Sequence, residues 1–428
     1  MTTIADPFTL PSGAVVPNRI AKAAMTEQLA DADGRPNDRH MRLYRRWAEG
    51  GAGLVVTGNV QVDRRHLEHP GNIVIDGPPD PARMQALKEL AAAAQSRGGL
   101  AIMQLSHAGR QTPKVVNKEP LSPSAVGLGL PGGTFAAPKA MTGDDIRDVE
   151  QQFVYGAAIA AETGFAGVQL HAAHGYLLSS FLNPRANTRT DEFGGSIANR
   201  ARLLLTIVER VRRDAPAHFV VSVKLNSSDF QKGGLTTEDS LTIATWLADR
   251  EIDLLEISGG NYEQPAMMDL EGIDKRHEER KAESTRRREA YFLEFAETLR
   301  ARIDLPLMVT GGFRSVAGMN SALDGGACDI VGLARPLCVR PDFPAAAIAG
   351  LADSVSAYEK RLAIGPGWLG PHSPFNIVKA VNGFSAMAFF YRNIERMGDG
   401  LDPVDRMNIL QAFIRGQMET SRKAKALP

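Results

Sequence analysis

Gly167-Val168-Gln169-Leu170-His171-Ala172-Ala173-His174-Gly175-Tyr176 decides the reading of this chain. An apolar run with the length of a buried strand ends abruptly in two histidines and a tyrosine. The polar residues therefore stand where a parallel strand opens into a loop, the place where barrels of alternating strands and helices do their chemistry. Similar apolar runs lie on either side: Arg19–Ala24, Gly53–Thr57, Leu100–Leu105, Phe219–Leu225, Asp253–Ser258, Pro306–Thr310 and Asp329–Leu333. With Gly167–His171 they make eight, rich in Val, Ile and Leu on both faces, as parallel strands covered by helices require.

Amphipathic stretches fill the gaps, at Asp38–Glu49, Pro81–Arg97, Gly143–Thr163, Ile197–Arg213, Thr237–Arg250, Arg287–Arg302 and Ser315–Asp324. Thr142-Gly143-Asp144-Asp145 and Thr236-Thr237-Glu238-Asp239 read as helix starts, offering side-chain oxygens to orphan amides. Gly98-Gly99 and Thr163-Gly164 read as stops. The pattern predicts an α/β protein, a (β/α)8 TIM barrel over residues 1–350. Phe8-Thr9-Leu10 and Ala14-Val15-Val16 are expected to form an N-terminal hairpin that plugs the barrel floor. Residues 351–428 are expected to be a C-terminal helical extension packed on the barrel. Its apolar part, with Phe384, Phe389, Phe390 and Tyr391, can bury against the barrel or a second subunit, so a homo-oligomer is open. Segments 106–141 and 259–285 read as long loops that cover a site.

The chain has 428 residues, 43% hydrophobic and 23% charged, with zero formal net charge. That balance gives no global field to recruit nucleic acid or an anionic membrane. No apolar run reaches the ~20 residues of a membrane helix, and Met1 to Ile20 lacks the pattern of a signal peptide. Cys328 and Cys338 cannot build a disulfide framework or supply the four thiolates of an iron–sulfur cluster. A cytoplasmic location is expected.

The strand ends supply a polar ring: Thr26, Gly58, Gln104, His171, His174, Lys224, Gly259-Gly260, Gly311-Gly312 and Arg335. Gly311-Gly312 and Ala334-Arg335 follow the seventh and eighth strands, the usual phosphate seat of barrels. His171 and His174 have a metal-ligand spacing, but no carboxylate or third histidine is placed to complete a site, and no metal is expected. They read instead as hydrogen-bond donors to a substrate oxygen or as satisfied structural histidines. Tyr176 reads as a general acid or as a packing residue. Lys224 interrupts an apolar strand, so it either pairs with a carboxylate such as Glu256 on the next strand or faces an anionic ligand. The charged run Arg185 to Gly195 is expected to lock itself structurally.

The runs Asn18-Arg19-Ile20…Ala24-Met25-Thr26, Gln104-Leu105-Ser106-His107-Ala108-Gly109-Arg110, His171-Ala172-Ala173-His174-Gly175-Tyr176-Leu177, Asn187…Arg189-Thr190-Asp191-Glu192-Phe193-Gly194-Gly195-Ser196…Asn199-Arg200 and Thr310-Gly311-Gly312-Phe313-Arg314 resemble the Old Yellow Enzyme family of FMN-dependent oxidoreductases. They occur in order from about Asn18 to Arg335. The resemblance implies FMN at the barrel mouth, lined by Ala24, Met25 and Thr26, with Gly58 against the ring. It implies that Gln104 bonds the pyrimidine edge, that Lys224 places charge beside N1 and O2, and that Gly311, Gly312, Ala334 and Arg335 hold the phosphate. His171 and His174 would bind a substrate carbonyl and Tyr176 would protonate the α-carbon. Lys224, Ala24 and Ala334 depart from the arginine, proline and glycine frequent in relatives, and a lysine gives the flavin a point charge in place of a fork.

The expected function is reduction of activated C=C bonds of α,β-unsaturated carbonyl compounds with NADPH or NADH, by ping-pong hydride transfer through FMN. A flavoprotein of the same fold with another task, oxidation or NAD(P)H oxidase activity, is the first alternative. A flavin-free phosphate-binding barrel, with Lys224 as a Schiff-base nucleophile, is the second.

Overall fold

The computed structural model describes residues 1–78, 80–130, 133–260 and 292–428. Eight parallel strands close on themselves: β1 (Ile20–Lys22), β2 (Leu54–Val56), β3 (Leu100–Ser106), β4 (Gly167–Ala172), β5 (Val220–Asn226), β6 (Leu254–Ser258), β7 (Leu307–Thr310) and β8 (Ile330–Leu333). Each pairs with its sequence neighbours, β8 pairs with β1, and the ring is continuous through β3 and β4. This is the predicted (β/α)8 barrel.

Side chains alternate along each strand. Val221, Val223 and Leu225 of β5 join the large outer core beneath the helices, as do Val168 and Leu170 of β4. A smaller core fills the lower lumen with Ala21, Ala23, Leu54, Val56, Ile102, Val220, Leu254, Met308 and Ile330. Leu10 and Val16 of the N-terminal hairpin (Phe8–Thr9 against Val15–Val16) complete that lumen core, so the hairpin does plug the floor. Above it the inward positions turn polar: Gln104, Gln169, Ser222, Lys224 and Glu256 are all buried. The lumen is thus apolar at the bottom and polar at the mouth.

The helices between strands are α1 (Asp38–Glu49), α2 (Pro81–Ala94), α3 (Gly143–Glu162), α4 (Ile197–Asp214), α5 (Thr237–Ala248), α6 (Leu293–Arg300) and α7 (Val316–Asp324). Thr142 and Thr236 cap α3 and α5 as their sequences predict. Of the helix expected at Arg287–Arg302, the part after residue 291 lies within the described residues. The eighth unit has two short helices, Arg335–Val339 and Phe343–Ile348, in place of one long one. A short helix at Leu177–Leu182 directly follows Tyr176, in a stretch whose sequence predicts no element.

Segment 106–141 is more ordered than a bare loop. It carries a 3-10 turn at Gly109–Gln111 and a parallel pairing of Leu121–Ser122 with Lys139–Ala140. Most of the loop expected at 259–285 lies outside the described residues. The run from Arg185 to Gly195 is tied down: Arg189 pairs with Asp191 within it and donates to the carbonyls of Pro123 and Met141 at 3.0 and 2.6 Å, and Asn187 bridges those of Phe181 and Phe193.

Two helices close the chain, α8 (Asn376–Gly398) and α9 (Ile409–Lys425). α8 packs on α1, where Arg42 Nε donates to the Gly398 carbonyl at 2.7 Å and Arg39 pairs with Asp399. Phe389 and Phe390 are buried here, whereas Phe384 is exposed and stacks on Phe413. No described helix is long and apolar enough to cross a membrane.

Candidate active site

β4 delivers His171 inward, 3% exposed, and its loop delivers His174 and Tyr176. The rings form one cluster, with His171 edge-on to His174 at 5.1 Å and to Tyr176 at 4.8 Å between centroids. His174 has φ of +62°, a left-handed conformation histidine tolerates better than most residues, and Gly175 continues it at +81°. The turn is held by Asn226 Oδ1, which accepts from the His174 amide at 3.2 Å, and by Gln111, which donates to its carbonyl at 3.0 Å. Nδ1 of His171 accepts from the Ala173 amide at 3.2 Å, which leaves the ring proton on Nε2. Nε2 of His174 lies 2.7 Å from the Ser258 hydroxyl. Both imidazoles are held well below the usual histidine range, by burial first, with Lys224 and for His171 also His174 adding to it. They are neutral donors, suited to grip an oxygen without placing a full charge beside it.

The β5–β6 register sets Lys224 opposite Glu256, and Nζ lies 2.8 Å from Oε1. Of the two alternatives for Lys224, the carboxylate partner is the one present. The other oxygen of Glu256 accepts from Gln169 at 2.9 Å, and Gln169 accepts from Gln104 at 2.7 Å. Gln104, Gln169, Glu256 and Lys224 therefore form one hydrogen-bonded rail across four adjacent strands.

Thr26 follows β1, and its hydroxyl lies 2.5 Å from Glu68 Oε1. Glu68 Oε2 is 2.8 Å from the Tyr176 oxygen and accepts from Asn59. Ala24 and Met25 are half-buried beside it, with Met25 sulfur 3.4 Å from the Cys338 thiol. Gly58 is buried, and its amide donates to Glu27 at 2.8 Å. A Cβ at Gly58 would fall 2.4 Å from Glu27 Oε2 and 2.5 Å from the Met25 carbonyl, so only glycine fits. At the far side of the mouth Gly311 and Gly312 have φ of +119° and +88°, which ordinary side chains rarely adopt. Ala334 begins the short helix of Arg335, whose side chain lies 3.8 Å from Glu359; Arg314 pairs with the same carboxylate at 2.6 Å.

Sequence reasoning missed Glu68, Gln169, Glu27 and Ser258. Glu68 sits in His66-Leu67-Glu68-His69, a run that reads as an ordinary solvated loop, and only the approach of Tyr176 from another strand gives it a role. A second polar cluster was also missed: Asp63, His66 and His107 bring three ligand atoms within 4.8 Å, all buried. Its tautomers argue against a cation. Nε2 of His66 accepts from the Leu121 amide and Nδ1 of His107 from the Gly109 amide, so the ring nitrogens that face Asp63 carry the protons. Asp63 also accepts from Arg65. This is a carboxylate that ties loops together, and its carboxyl is held far below the usual range; the hydrogen bonds of His66 and Arg65 overcome the opposing, larger effect of burial.

A closed barrel with a polar mouth, paired neutral histidines, a phenol and a glycine turn beside two arginines after β7 and β8 can hold a small molecule that carries an anionic group. The comparisons agree. Residues 4–354 match the NADH:flavin oxidoreductase / NADH oxidase family. The chain is 39% identical over 354 residues to the NADH-dependent flavin oxidoreductase iliE of Neonectria sp. (strain DH2), covering 79% of this chain and 46% of that one. It is 39% identical over 360 residues to the NADH-dependent flavin oxidoreductase iccE of Talaromyces variabilis, covering 80% and 85%. An old yellow enzyme homologue from Zymomonas mobilis superposes with a TM-score of 0.68 at 25% identity, covering 82% and 94%. The match thus spans less than half of the Neonectria protein and most of the other two. The chain belongs to the NADH:flavin oxidoreductase family, that of Old Yellow Enzyme, whose cofactor is FMN and whose reductant is a nicotinamide nucleotide.

The residues present fit FMN. The Gln104–Lys224 rail sets polar groups at the lumen mouth, and the Gly311-Gly312 turn with Arg314 and Arg335 suits a phosphate.

Proposed function

We propose that this flavin-dependent oxidoreductase reduces the activated C=C bond of α,β-unsaturated carbonyl compounds. The observation that carries the reading is the His171–His174–Tyr176 cluster, two neutral donors and a phenol grouped at the mouth. When bound, FMN supplies the two-electron carrier that takes hydride from the nicotinamide and returns it to the β-carbon. His171 and His174 hold the carbonyl oxygen and stabilise the negative charge that develops there. Tyr176, beside them, gives its hydroxyl proton to the α-carbon. Ala24, Met25, Thr26, Gly58, Gln104 and Lys224 line the cofactor in this reading, and Gly311, Gly312, Ala334 and Arg335 hold its phosphate. The ion pair with Glu256 gives Lys224 an electrostatic duty in place of a covalent one, which disfavours Schiff-base chemistry.

The test is an absorption spectrum of the purified protein, followed anaerobically by NADH or NADPH and then cyclohexenone. Flavin bands that bleach with nucleotide and return with enone support the reading. Bleaching that only oxygen reverses would assign NAD(P)H oxidase activity instead. A colourless protein that gains no bands with FMN would overturn both.

A further inference from the structure

Glu68 is a carboxyl group that the proposed alkene reduction has not used, although it touches the two residues that matter most at this side of the mouth. Its Oε1 lies 2.5 Å from the Thr26 hydroxyl and its Oε2 lies 2.8 Å from the Tyr176 oxygen. Asn59, from the segment after β2, donates to Oε2 as well. Three elements of the barrel mouth thus converge on one carboxyl. A tyrosine has a single hydroxyl proton. If that proton is spent on an anionic neighbour, it points away from the substrate; if the neighbour donates instead, the proton is released for transfer.

We propose that Glu68 is the positioning residue and proton reserve of Tyr176: as a carboxylic acid it donates to the phenol oxygen and turns the O–H toward the substrate α-carbon. The inference rests on the function proposed above. The Tyr176 O–H bond breaks as the C–H bond forms at the α-carbon. The Glu68 O–H proton then passes to the phenolate, the carboxylate remains, and water returns its proton before the next turnover. No oxidant or reductant is needed, since only protons move.

The surroundings allow the acid form. Glu68 is half-buried among Thr26, Asn59 and Tyr176, and Tyr391 of α8 is near enough to feel its charge. Loss of water pushes its carboxyl up to about 7; Thr26 and Tyr176 pull the other way, and Glu27 after β1 adds to the rise. Glu27 is the charged neighbour that acts on it among the described residues, and the Tyr391 phenol is itself pushed well above its ordinary value, chiefly by burial with Glu68 adding to it, so it carries no competing charge. The pKa of Glu68 is therefore raised well above an ordinary glutamate, so the reserve is filled below about pH 7 and emptied above it.

Three measurements test this. In anaerobic stopped flow, the NADH-reduced holoenzyme should return its electrons to cyclohexenone at a rate that falls above about pH 7. Glu68→Gln keeps a donor to the phenol but cannot titrate, so its rate should lose that break and stay within about tenfold of the low-pH plateau. Flavin reduction by NADH should be largely unchanged in the variant. Combined with Tyr176→Phe, Glu68→Gln should add no further loss, because the phenol through which it acts is gone. An infrared carboxylic C=O band with a midpoint near 7, lost in Glu68→Gln, reads the same group without turnover. Asn59→Ala, which removes a donor favouring the carboxylate, should move both midpoints upward and serves if Glu68→Gln does not fold. A break that persists in Glu68→Gln, or losses that multiply with Tyr176→Phe, would overturn the assignment. A wild-type enzyme that does not react with enone at all would instead sink the functional reading, and the infrared band would still decide the state of Glu68.

Discussion

Lys224→Met is the substitution whose outcome the structure sets most directly. Lys224 is 4% exposed and Glu256 is fully enclosed, with 2.8 Å between Nζ and Oε1. Coulomb's law at that distance and an effective dielectric of about 20 gives an attraction of about 6 kcal/mol. In the native protein that attraction offsets the cost of stripping water from both ions. Methionine keeps the volume of the stem but leaves the Glu256 charge with the Gln169 amide and only the more distant Lys22 ammonium. Breaking one partner out of a buried pair costs about 3–5 kcal/mol. The assay is guanidinium unfolding of both proteins at two FMN concentrations, so that the contribution of cofactor binding can be separated from that of the pair. Glu256→Gln added to Lys224→Met should recover most of the loss, because two neutral groups of similar shape replace the two ions. A single variant within about 0.5 kcal/mol of the parent, or a double variant less stable than the single, would refute the reasoning.

Tyr176→Phe should slow alkene reduction by about 10²–10⁴ while sparing flavin reduction by NADH; equal losses in both half-reactions, followed by stopped flow, would return Tyr176 to a packing role. Gly58→Ala forces a methyl within 2.4 Å of Glu27 Oε2 and 2.5 Å of the Met25 carbonyl. It should cost about 1–3 kcal/mol and weaken FMN retention, measured by dialysis of the holoprotein. His40 is buried on α1 with its imidazole pushed down to about 3, chiefly by burial with Lys423 and Arg39 adding to it. Its stability contribution is present above the unfolded value near 6.5 and is lost as pH falls toward 3, because the unfolded chain takes up the proton first. Between pH 8 and pH 5 the loss is about 2 kcal/mol, and His40→Gln should remove that part of the slope in a series of denaturation midpoints.

The barrel was legible because its strands are buried on both faces, so that continuous Val, Ile and Leu runs mark them without help from periodicity. Capping was equally readable: Thr142 and Thr236 carry their function locally, in residues three apart. The site divided along the same line. His171, His174 and Tyr176 lie within six positions of one another, and their grouping follows from one strand end. Lys224 announced itself by interrupting an apolar strand, and the partner it required, Glu256, was already visible at the right register. Glu68 gave no such signal. It lies in a short polar connection, and what makes it chemical is the approach of Thr26 and Tyr176 from loops 42 and 108 residues away in sequence. The ordered part of 106–141 escaped for a similar reason, since the pairing of Leu121–Ser122 with Lys139–Ala140 spans a stretch dominated by glycine and proline.

The charges at the mouth are arranged so that few of them can change. Lys224 is tied to Glu256, Arg314 and Arg335 share Glu359, and both imidazoles are held neutral by burial. Glu27 accepts the Gly58 amide and the Tyr44 hydroxyl, and Asp63 is locked by Arg65 and His66. Each of these groups is held by burial or by a partner close by. Glu68 differs, because its contacts are uncharged: a threonine, an asparagine and a phenol that can donate or accept. A carboxyl with only neutral hydrogen-bond partners and an anion nearby is the group that a proton can enter and leave without breaking an ion pair. Under the proposed reaction, with one proton consumed per turnover at Tyr176, the pH dependence of alkene reduction should therefore follow Glu68, which the stopped-flow and infrared midpoints check together.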